Sequence, residues 1–333
     1  MMEIKLQSLL EAAVIRCMGH GRTALQLSGG LDSAVIQAIG HFDDLYCCTW
    51  PEFDNITAAR QASLGRPITP VTFTREELLV TLPDVARVTE GKGTWSQCCQ
   101  WIMAQRMKAD GIQVVLNGEG ADELFGGYAR YRVLYWIEQM LSDPHLVEYL
   151  GVIEHTLAAM ACNMGVGGDR EALRGFLVNR MLTRTSPHDG YNGDKRGDML
   201  AMVADHDERV GLKELVGFED AIFQEHGIVH FHPFMDPEVV EFAHTIPTGW
   251  KVTETESKHV LRLVARRLGV NPAITNEVTK RGLVIPPTWA PGDAKKWSRG
   301  WFERFMEEAW RELQGLPTAN RVKSKVVLNA SRR

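Results

Sequence analysis

The amino-acid sequence predicts an α/β fold: a doubly wound parallel sheet of about five strands with a large helical C-terminal portion. Three observations lead to this prediction. Short apolar runs alternate with helical patterns over the first 128 residues, which is the order typical of a parallel sheet with helices on both faces. Two of the apolar runs end in glycine-rich turns. From about residue 129 the strand patterns fade and helical periodicity replaces them.

The elements of the first half can be placed in order. Strands are expected at four apolar runs, Thr23–Leu27, Leu45–Trp50, Ile68–Phe73 and Ile112–Leu116. Helices are expected at Leu31–Gly40, Ile56–Leu64, Arg75–Arg87 and Trp95–Lys108. Ligands of such sheets bind outside the carboxyl ends of the strands. Because the first and fourth strands end at Ser28 and Asn117, the two glycine-rich turns are predicted to share one edge of the sheet.

The second half is predicted to be mainly helical. Its helices are expected at Tyr131–Leu141, His145–Asn163, Glu171–Leu182, Met199–Val216, Pro237–Thr245 and Ser257–Leu268. A long loop is expected at 186–197, an irregular connection at Pro286–Pro291 and a tryptophan-rich helix around Trp297–Leu313. We expect three parts: an N-terminal helical extension at 1–20, one domain at 21–290 whose sheet core reaches to about 128, and a C-terminal helix and tail at 291–333.

The composition excludes several classes of protein. Of the 333 residues, 44% are apolar and 24% are charged, which excludes disordered and fibrous chains. The net charge of −5 gives no global basic field, so we expect no non-specific binding to nucleic acid. No apolar run reaches the roughly 20 residues of a membrane span, and the N-terminal residues lack the pattern of a secretory leader. The six cysteines form no Cys-x-x-Cys motif and are expected as buried small residues of a cytoplasmic protein.

The segment SGGLDS at residues 28–33 predicts a site for the phosphates of ATP. It joins a predicted strand to a predicted helix. Its glycines let the backbone approach an anion, the hydroxyls of Ser28 and Ser33 add donors, and the helix N-terminus supplies unpaired N–H groups. Asp32 would repel a phosphate unless a divalent cation lay between them, which favours Mg²⁺. A plain strand-to-helix turn is the alternative for a lone Gly-Gly pair.

A second segment, NGEGADELFGGY at residues 117–128, carries three carboxylates within five residues: Glu119, Asp122 and Glu123. On its own it has an alternative interpretation, an acidic capped loop. At the same sheet edge as the first segment, however, Asp32 and Asp122 are predicted to share a Mg²⁺ ion on the ATP phosphates. Glu119 then remains for proton transfer at the reacting centre.

These two segments resemble those of the synthetase domain of asparagine synthetases, which belong to the PP-loop ATP pyrophosphatases with their HUP-like fold. Later segments match the family in order and spacing: Pro-Phe-Met-Asp at 233–236, Lys258 followed by Leu-Arg at 261–262, and Lys-x-Gly-Leu-x-x-Pro at 280–286. The resemblance covers about residues 20 to 290. The first two segments are specific, whereas each later one is weak alone.

The resemblance implies an ATP- and Mg²⁺-dependent ligase. A substrate carboxylate, that of aspartate or a relative, attacks the α-phosphorus of ATP, pyrophosphate leaves, and an amine converts the acyl-adenylate into an amide. Lys258 matches the family's catalytic lysine, the alternative being an exposed helix lysine, and Glu119 matches the group that accepts the proton of the amine. Where β-lactam synthetases have a tyrosine, this chain has Glu119, which favours intermolecular amidation. The implied ATP-binding residues are Leu27, Ser28, Gly29, Gly30, Asp32, Ser33, Asn117, Gly118 and Lys280.

The chain departs from the family pattern in three places. The family's glutaminase domain, whose nucleophile is a cysteine after the initiator methionine, is not expected here because residue 2 is Met2. Ammonia would then come from solution or from a separate glutaminase subunit, or another amine would be used. Phe231 and Val278 each stand where the family has an arginine. Either Arg281 or His230 compensates for the positive charge of the two missing arginines, or the acyl substrate is not aspartate.

Two other functions remain open from the sequence. One is a non-catalytic nucleotide-binding scaffold or sensor, and the other is a different PP-loop adenylating enzyme such as one that modifies tRNA. Against the scaffold, all of Asp32, Glu119, Asp122 and Lys258 are present. Against the tRNA-modifying class, there is neither a Cys-x-x-Cys motif nor a positive net charge. The acyl substrate, the amine and the formation of a homo-oligomer are left undetermined.

Overall fold

The computed structural model describes residues 1–50, 54–142 and 199–277, together with isolated positions between 306 and 314. The strands within these ranges are β1 (Thr23–Gln26), β2 (Asp44–Cys48), β3 (Thr69–Val71), β4 (Val114–Leu116) and β5 (Val229–Phe231). The helices of the first 142 residues are α1 (Met2–Cys17), α2 (Leu31–Ile39), α3 (Ile56–Ala62), α4 (Arg75–Val80), α5 (Leu82–Val88), α6 (Trp95–Ala109), α7 (Ala121–Phe125) and α8 (Ala129–Ser142). Those after residue 198 are α9 (Met199–His206), α10 (Lys213–Glu225), α11 (Pro237–Thr245), α12 (Thr248–Lys251), α13 (His259–Arg267) and α14 (Pro272–Thr275).

The described strands form one parallel sheet in the order β3-β2-β1-β4-β5. The chain first adds β2 and β3 on one side of β1, then returns to add β4 and β5 on the other side. The predicted doubly wound parallel sheet of about five strands is therefore confirmed. The order reverses between β1 and β4, and this is where ligands of open parallel sheets bind.

Strand β5 occupies a position that the sequence analysis had not assigned to a strand. Only three residues long, it is half-buried and contains a histidine, so it lacks the apolar run by which the other strands were found. Val115 pairs with His230 and Leu116 with Phe231. The strand exists because it completes the hydrogen bonds of β4, and this tertiary pairing is not visible in the local sequence.

The two faces of the sheet bury separate hydrophobic cores. Along β1, Leu25 and Leu27 belong to one core and Ala24 to the other, as expected from the alternation of side chains along a strand. The first core contains α1, α2, α11 and α13, and the second contains α4, α5, α6 and part of α10. Helix α1, predicted as an extension, buries Leu6 and Leu10 completely within the first core and packs against α11 and α13.

Two predicted helices differ in detail from those observed. The helix expected at 75–87 is divided at Thr81, with Pro83 in the first turn of α5, because a proline lacks the N–H group that would continue α4. The helix expected at 199–216 runs through a π-helical segment, Asp207–Leu212, into α10. Asp207 is buried there and accepts hydrogen bonds from Arg130 and Tyr131, both at 2.5 Å. These bonds fix α8 to the segment.

Three further groups of expectations concern the cysteines, membrane-spanning helices and the elements predicted outside the described ranges. In the part of the chain that is described, Cys17, Cys47, Cys48, Cys98 and Cys99 are free and buried, as expected. No helix among the described residues is both long and apolar enough to cross a membrane. The helices predicted at 145–163 and 171–182, the loop at 186–197, the connection at 286–291 and most of the helix at 297–313 lie outside the described residues.

Candidate active site

The loop after β1 is shaped by two glycines and two serines. Gly29 has a φ of +77°, and a Cβ atom there would lie 2.4 Å from the carbonyl carbon of Ala58, so the turn requires glycine. The Ser28 hydroxyl accepts a hydrogen bond from the N–H of Gly30 at 3.3 Å and lies 3.2 Å from the Ser33 hydroxyl. Leu27 is buried and its N–H donates to the carbonyl of Tyr46, which holds the start of the loop in the sheet.

The loop after β4 lies directly against the loop after β1. A Cβ atom on Gly118 would come within 2.8 Å of the Asp32 Cβ, so the two loops touch at a position that admits only glycine. The Asn117 amide oxygen accepts the N–H of Glu119 at 3.1 Å and fixes the turn that carries Glu119. The predicted meeting of the two segments at one sheet edge is thus observed.

Lys258 connects the two acidic positions. Its Nζ lies 2.6 Å from Asp32 Oδ1 and 2.7 Å from Asp122 Oδ1, and the residue is buried. It stands at φ +54° immediately before α13, so the interpretation as an exposed helix lysine is wrong. Burial alone would lower the pKa of Lys258, but Asp122 and Asp32 outweigh it and raise the pKa. Lys258 is therefore a permanent cation between two carboxylates.

Asp122 and Lys258 pack closely against Gly127. A Cβ atom at this position would lie 1.8 Å from Asp122 Oδ1 and 2.1 Å from Lys258 Cε. The glycine therefore leaves the space in which the Asp122–Lys258 ion pair forms. Its neighbour Gly126 ends α7 with a φ of +78°, which turns the chain toward α8.

Behind Asn117 lies a polar group that we call the β5 cluster: Glu219 and Asp220 of α10, His230 of β5, and the adjacent His232. Asn117 Nδ2 donates to Glu219 Oε2 at 2.8 Å, and His232 Nδ1 lies 2.8 Å from Asn117 Oδ1. His232 Nε2 lies 2.9 Å and His230 Nδ1 3.2 Å from Asp220 Oδ1. The cluster therefore contacts the loop of Glu119 through one asparagine side chain.

The electrostatics of the β5 cluster follow from its burial. Burial, and then the nearby charge of Glu119, raise the pKa of Glu219 well above its usual range. Burial lowers the pKa of His230 to about 4, so His230 is neutral at pH 7 and does not supply the cation that the arginine at 231 would have provided. Burial would raise the pKa of Asp220, but its contacts with His230 and His232 lower it instead.

Sequence reasoning missed Glu219, Asp220 and His232, and it considered His230 only as a substitute for an arginine. One signal was present: His230 and His232 are two positions apart, a spacing that places both on one face of a strand. The sequence did not indicate that the acidic pair at 219–220 lies beside these histidines, because α10 and β5 are brought together only by the fold.

The sequence also singles out Arg262, Phe231, Lys280, Arg281 and Val278. Arg262 is buried and donates to the backbone carbonyls of Ser257, Thr275 and Glu277 at 2.7 to 2.8 Å, so it holds the chain on both sides of α13. Phe231 is partly buried, with its ring centroid 5.8 Å from that of His20. Lys280, Arg281 and Val278 lie outside the described residues.

Comparison of the sequence with known proteins finds similarity to asparagine synthetases and to an amidase. A family model described as asparagine synthase matches residues 5–323. A candidate glutamine-hydrolysing asparagine synthetase of Mycobacterium tuberculosis is 26% identical over 293 residues, covering 78% of this chain and 44% of the relative. Amidase chry2 of Gibberella zeae is 23% identical over 369 residues, covering 86% of this chain and 52% of the relative.

Asparagine synthetase B of Escherichia coli K12 is 29% identical over 145 residues, covering 37% of this chain and 26% of the relative. The chain thus spans about half, or less, of the length of these relatives. The family match, in contrast, extends over nearly the whole chain and includes every residue of the site described above. The chain therefore belongs to the asparagine synthase family.

Proposed function

We propose that the chain is an ATP- and Mg²⁺-dependent amide-forming ligase. It adenylates a substrate carboxylate, releases pyrophosphate and transfers the acyl group to ammonia or another amine. The observation that carries the proposal is the Lys258 ammonium group, buried within 2.7 Å of both Asp32 and Asp122 at the edge where β1 and β4 end. A family that acts on carboxylates and ATP supports the same assignment.

The loop after β1 binds the phosphates of ATP in this proposal. The turn at Gly29 and Gly30 leads directly into the first turn of α2, where backbone N–H groups have no partner within the helix. The hydroxyls of Ser28 and Ser33 lie beside the same turn and add two donors. Leu27, Asn117 and Gly118 form the backbone on either side, and Lys280 is assigned to ATP by family resemblance.

The carboxylates of Asp32 and Asp122 fit a Mg²⁺ ion. Both already lie around one cationic group, the Lys258 ammonium, and Mg²⁺ prefers carboxylate and phosphate oxygens as ligands. A bound Mg²⁺ would neutralise charge that develops on the leaving pyrophosphate. With the metal at the carboxylates, the role of Lys258 is to place its positive charge next to the α-phosphoryl group and the later acyl centre.

Glu119 is the residue proposed to accept the proton of the attacking amine. Its loop is held by the N–H bond to Asn117 Oδ1, and it is close enough to Glu219 to raise the pKa of that group. A carboxylate at this point removes a proton as nitrogen attacks the acyl-adenylate. The acyl substrate is expected to differ from aspartate, since Phe231 replaces an arginine of the family pattern and His230 is neutral.

Pyrophosphate release tests the proposal. The purified chain is incubated with ATP, Mg²⁺, ammonium and a panel of carboxylic acids, and other amines then replace the ammonium. We expect release with at least one pair, reduced by roughly 10²–10³-fold in Lys258→Ala and by roughly 10²–10⁴-fold in Glu119→Gln. Lys108→Ala and Glu241→Gln change exposed residues of the same types and are expected to retain full activity.

The outcomes separate the proposal from the alternatives. Turnover with aspartate far above that with other acids would contradict the expectation of a different acyl substrate. Activity that appears only when a glutaminase and glutamine are added would identify a separate subunit as the ammonia source. Binding of ATP without pyrophosphate release for any pair would overturn the enzyme assignment in favour of a nucleotide-binding scaffold.

A further inference from the structure

The β5 cluster brings three side chains that ligate metals to one place, and a fourth, Asp220, contacts two of them. One ligand atom from each of Glu219, His230 and His232 lies within 4.8 Å of the other two. Asp220 Oδ1 lies 2.9 Å from His232 Nε2 and 3.2 Å from His230 Nδ1. Metal bonds to nitrogen and oxygen are about 2.0–2.2 Å long, so small side-chain rotations would bring these atoms onto one ion.

His230 supports a metal site through its buried ring. Its side chain is 1% exposed, its Nδ1 lies 3.2 Å from Asp220 Oδ1, and its Nε2 makes no hydrogen bond with the described residues. A buried polar atom without a partner is unfavourable and rare in folded proteins. An imidazole buried beside two carboxyl groups has a lone pair available to a cation.

The hydrogen bonds of Asn117 determine which nitrogen of His232 is available to a metal. Asn117 Oδ1 accepts the N–H of Glu119, and Asn117 Nδ2 donates to Glu219, so the orientation of the amide is fixed. His232 Nδ1, 2.8 Å from Asn117 Oδ1, must therefore be the donor of that hydrogen bond. Its Nε2, 2.9 Å from Asp220 Oδ1, is then the nitrogen available to a metal, and metal binding would release the proton that Nε2 shares with Asp220. Metal-bound histidines commonly donate their second nitrogen to a carbonyl or carboxylate in this way.

The geometry points to a binding site for a divalent first-row transition-metal ion, such as Zn²⁺, formed by Glu219, Asp220, His230 and His232. Two imidazoles and two carboxylates form a ligand set that suits Zn²⁺ and its neighbours and does not suit Mg²⁺. The site is therefore separate from the proposed Mg²⁺ position at Asp32 and Asp122. A divalent ion would also balance the charge of Asp220, which pairs with the two histidines, and would lie beside Glu219, whose carboxyl oxygens accept from the neutral amides of Gln100 and Asn117.

Metal binding can be measured without any assay of enzyme activity. The full chain, purified without a histidine tag, is stripped with a chelator, dialysed and titrated with Zn²⁺ in excess Mg²⁺. Equilibrium dialysis followed by elemental analysis gives the stoichiometry. We expect one Zn²⁺ per chain, and Co²⁺ in place of Zn²⁺ is expected to give visible ligand-field absorption that reports nitrogen and oxygen ligation.

Variants identify the ligands. Asn117 is a hydrogen-bonding partner of the proposed ligands, and Asn117→Ala is expected to weaken Zn²⁺ binding by roughly 10–100-fold. His230→Gln, His232→Gln and Glu219→Gln remove ligands and are expected to weaken it further. The exposed histidines provide matched controls, His20→Gln and His244→Gln, with unchanged affinity. Circular dichroism establishes that each variant is folded.

Two results would overturn the inference. One is the absence of stoichiometric Zn²⁺ on the folded wild-type chain. The other is Zn²⁺ binding that persists in folded His230→Gln and His232→Gln but is lost in a control variant, which would place the ion elsewhere. Because neither readout uses ATP or pyrophosphate, a failure of the proposed ligase activity leaves this test unaffected.

Discussion

At the scale of single residues, the backbone of Lys258 is the most informative feature. Three described residues other than glycine have a positive φ: Leu64, Glu90 and Lys258. The first two are exposed, whereas Lys258 is buried with its ammonium group at two carboxylates. A lysine in the left-handed region is disfavoured and persists only where its surroundings require it. The ion pairs with Asp32 and Asp122 hold the backbone of Lys258 in this conformation.

Replacing Lys258 by methionine is expected to destabilise the apo-protein by about 3 kcal/mol, because two carboxylates then lie close together without their cation. Added Mg²⁺ is expected to restore part of the loss, since it neutralises the same carboxylates. Urea unfolding with and without Mg²⁺ measures both effects, and Lys108→Met serves as the control. Equal losses with and without Mg²⁺ would contradict the proposed metal position.

Gly127 gives a second residue-scale prediction. In Gly127→Ala the new methyl group overlaps with Asp122 and Lys258, so we expect about 1–3 kcal/mol of destabilisation together with loss of pyrophosphate release. Gly217→Ala is the matched control, because no atom lies near the new methyl group in α10. In that helix the change is expected to stabilise the protein by about 0.5–1 kcal/mol. Thermal unfolding compares the two variants, and equal stability would contradict the close packing.

At the scale of elements, the ends of α6 are well defined. Thr94 and Gln97 form a capping box at the N-terminus, which satisfies N–H groups that the helix leaves unpaired. Asp110 at the other end accepts hydrogen bonds from Arg106 at 2.7 Å and from the Tyr46 hydroxyl at 2.8 Å. The second bond joins α6 to β2. It therefore fixes the C-terminal end of the helix on the sheet.

Asp110→Asn is expected to show a pH-dependent loss of stability. Burial would raise the pKa of Asp110, but the hydrogen bonds from Arg106 and Tyr46 lower it below the ordinary 3.8. A lowered pKa contributes stability above the unfolded-state value and loses it as the pH falls through the folded-state value. The cost of Asp110→Asn is therefore expected to be at most about 1 kcal/mol at neutral pH and to vanish in acid.

Urea unfolding from pH 7 down to pH 3 measures this dependence. The matched control is Asp205→Asn, which removes an exposed ion pair with Arg209 on neighbouring turns of one helix and makes no bond between elements. A cost of Asp110→Asn that stays constant, or that grows as the pH falls, would contradict the sign of the pKa shift.

At the scale of the whole molecule, helix α1 belongs to the core that supports the site. It packs against α13, the helix that follows Lys258, and its residues Leu6 and Leu10 are fully buried. Residues at the start of the chain thus stabilise an element that begins at the sheet edge where the two loops meet. The first core is continuous from α1 to α13.

Leu10→Ala is expected to reduce the free energy of unfolding by about 2–5 kcal/mol, because it leaves a cavity in the first core. Ile15→Ala changes a residue of the same helix that is 69% exposed and is expected to change it by less than about 0.5 kcal/mol. Chemical denaturation measures both. Similar small losses in the two variants would mean that α1 is a dispensable extension.

The sequence predicted the sheet, the edge at which the two loops meet and the residues at that edge, because these depend on local patterns of apolar and glycine residues. It did not predict the position of β5, whose three residues acquire strand structure only by pairing with β4. For the same reason the β5 cluster was not foreseen, since Glu219 and His230 are brought together by the packing of α10 on β5. Family resemblance singled out Lys258 as a catalytic lysine, but its ion pairs with Asp32 and Asp122 were not predicted.

The reversal of strand order between β1 and β4 divides the site into two halves that can diverge separately. The SGGLDS loop lies on the β1 side and retains the family sequence, while Phe231, His230 and His232 lie on the β5 side, where the arginine is lost. The halves meet where Gly118 touches Asp32 and where Lys258 pairs with both Asp32 and Asp122. In the proposed ligase, the phosphate-binding loop and the residues of β5 and α10 lie on opposite sides of this boundary, so substitutions in β5 and α10 would leave the loop after β1 in place.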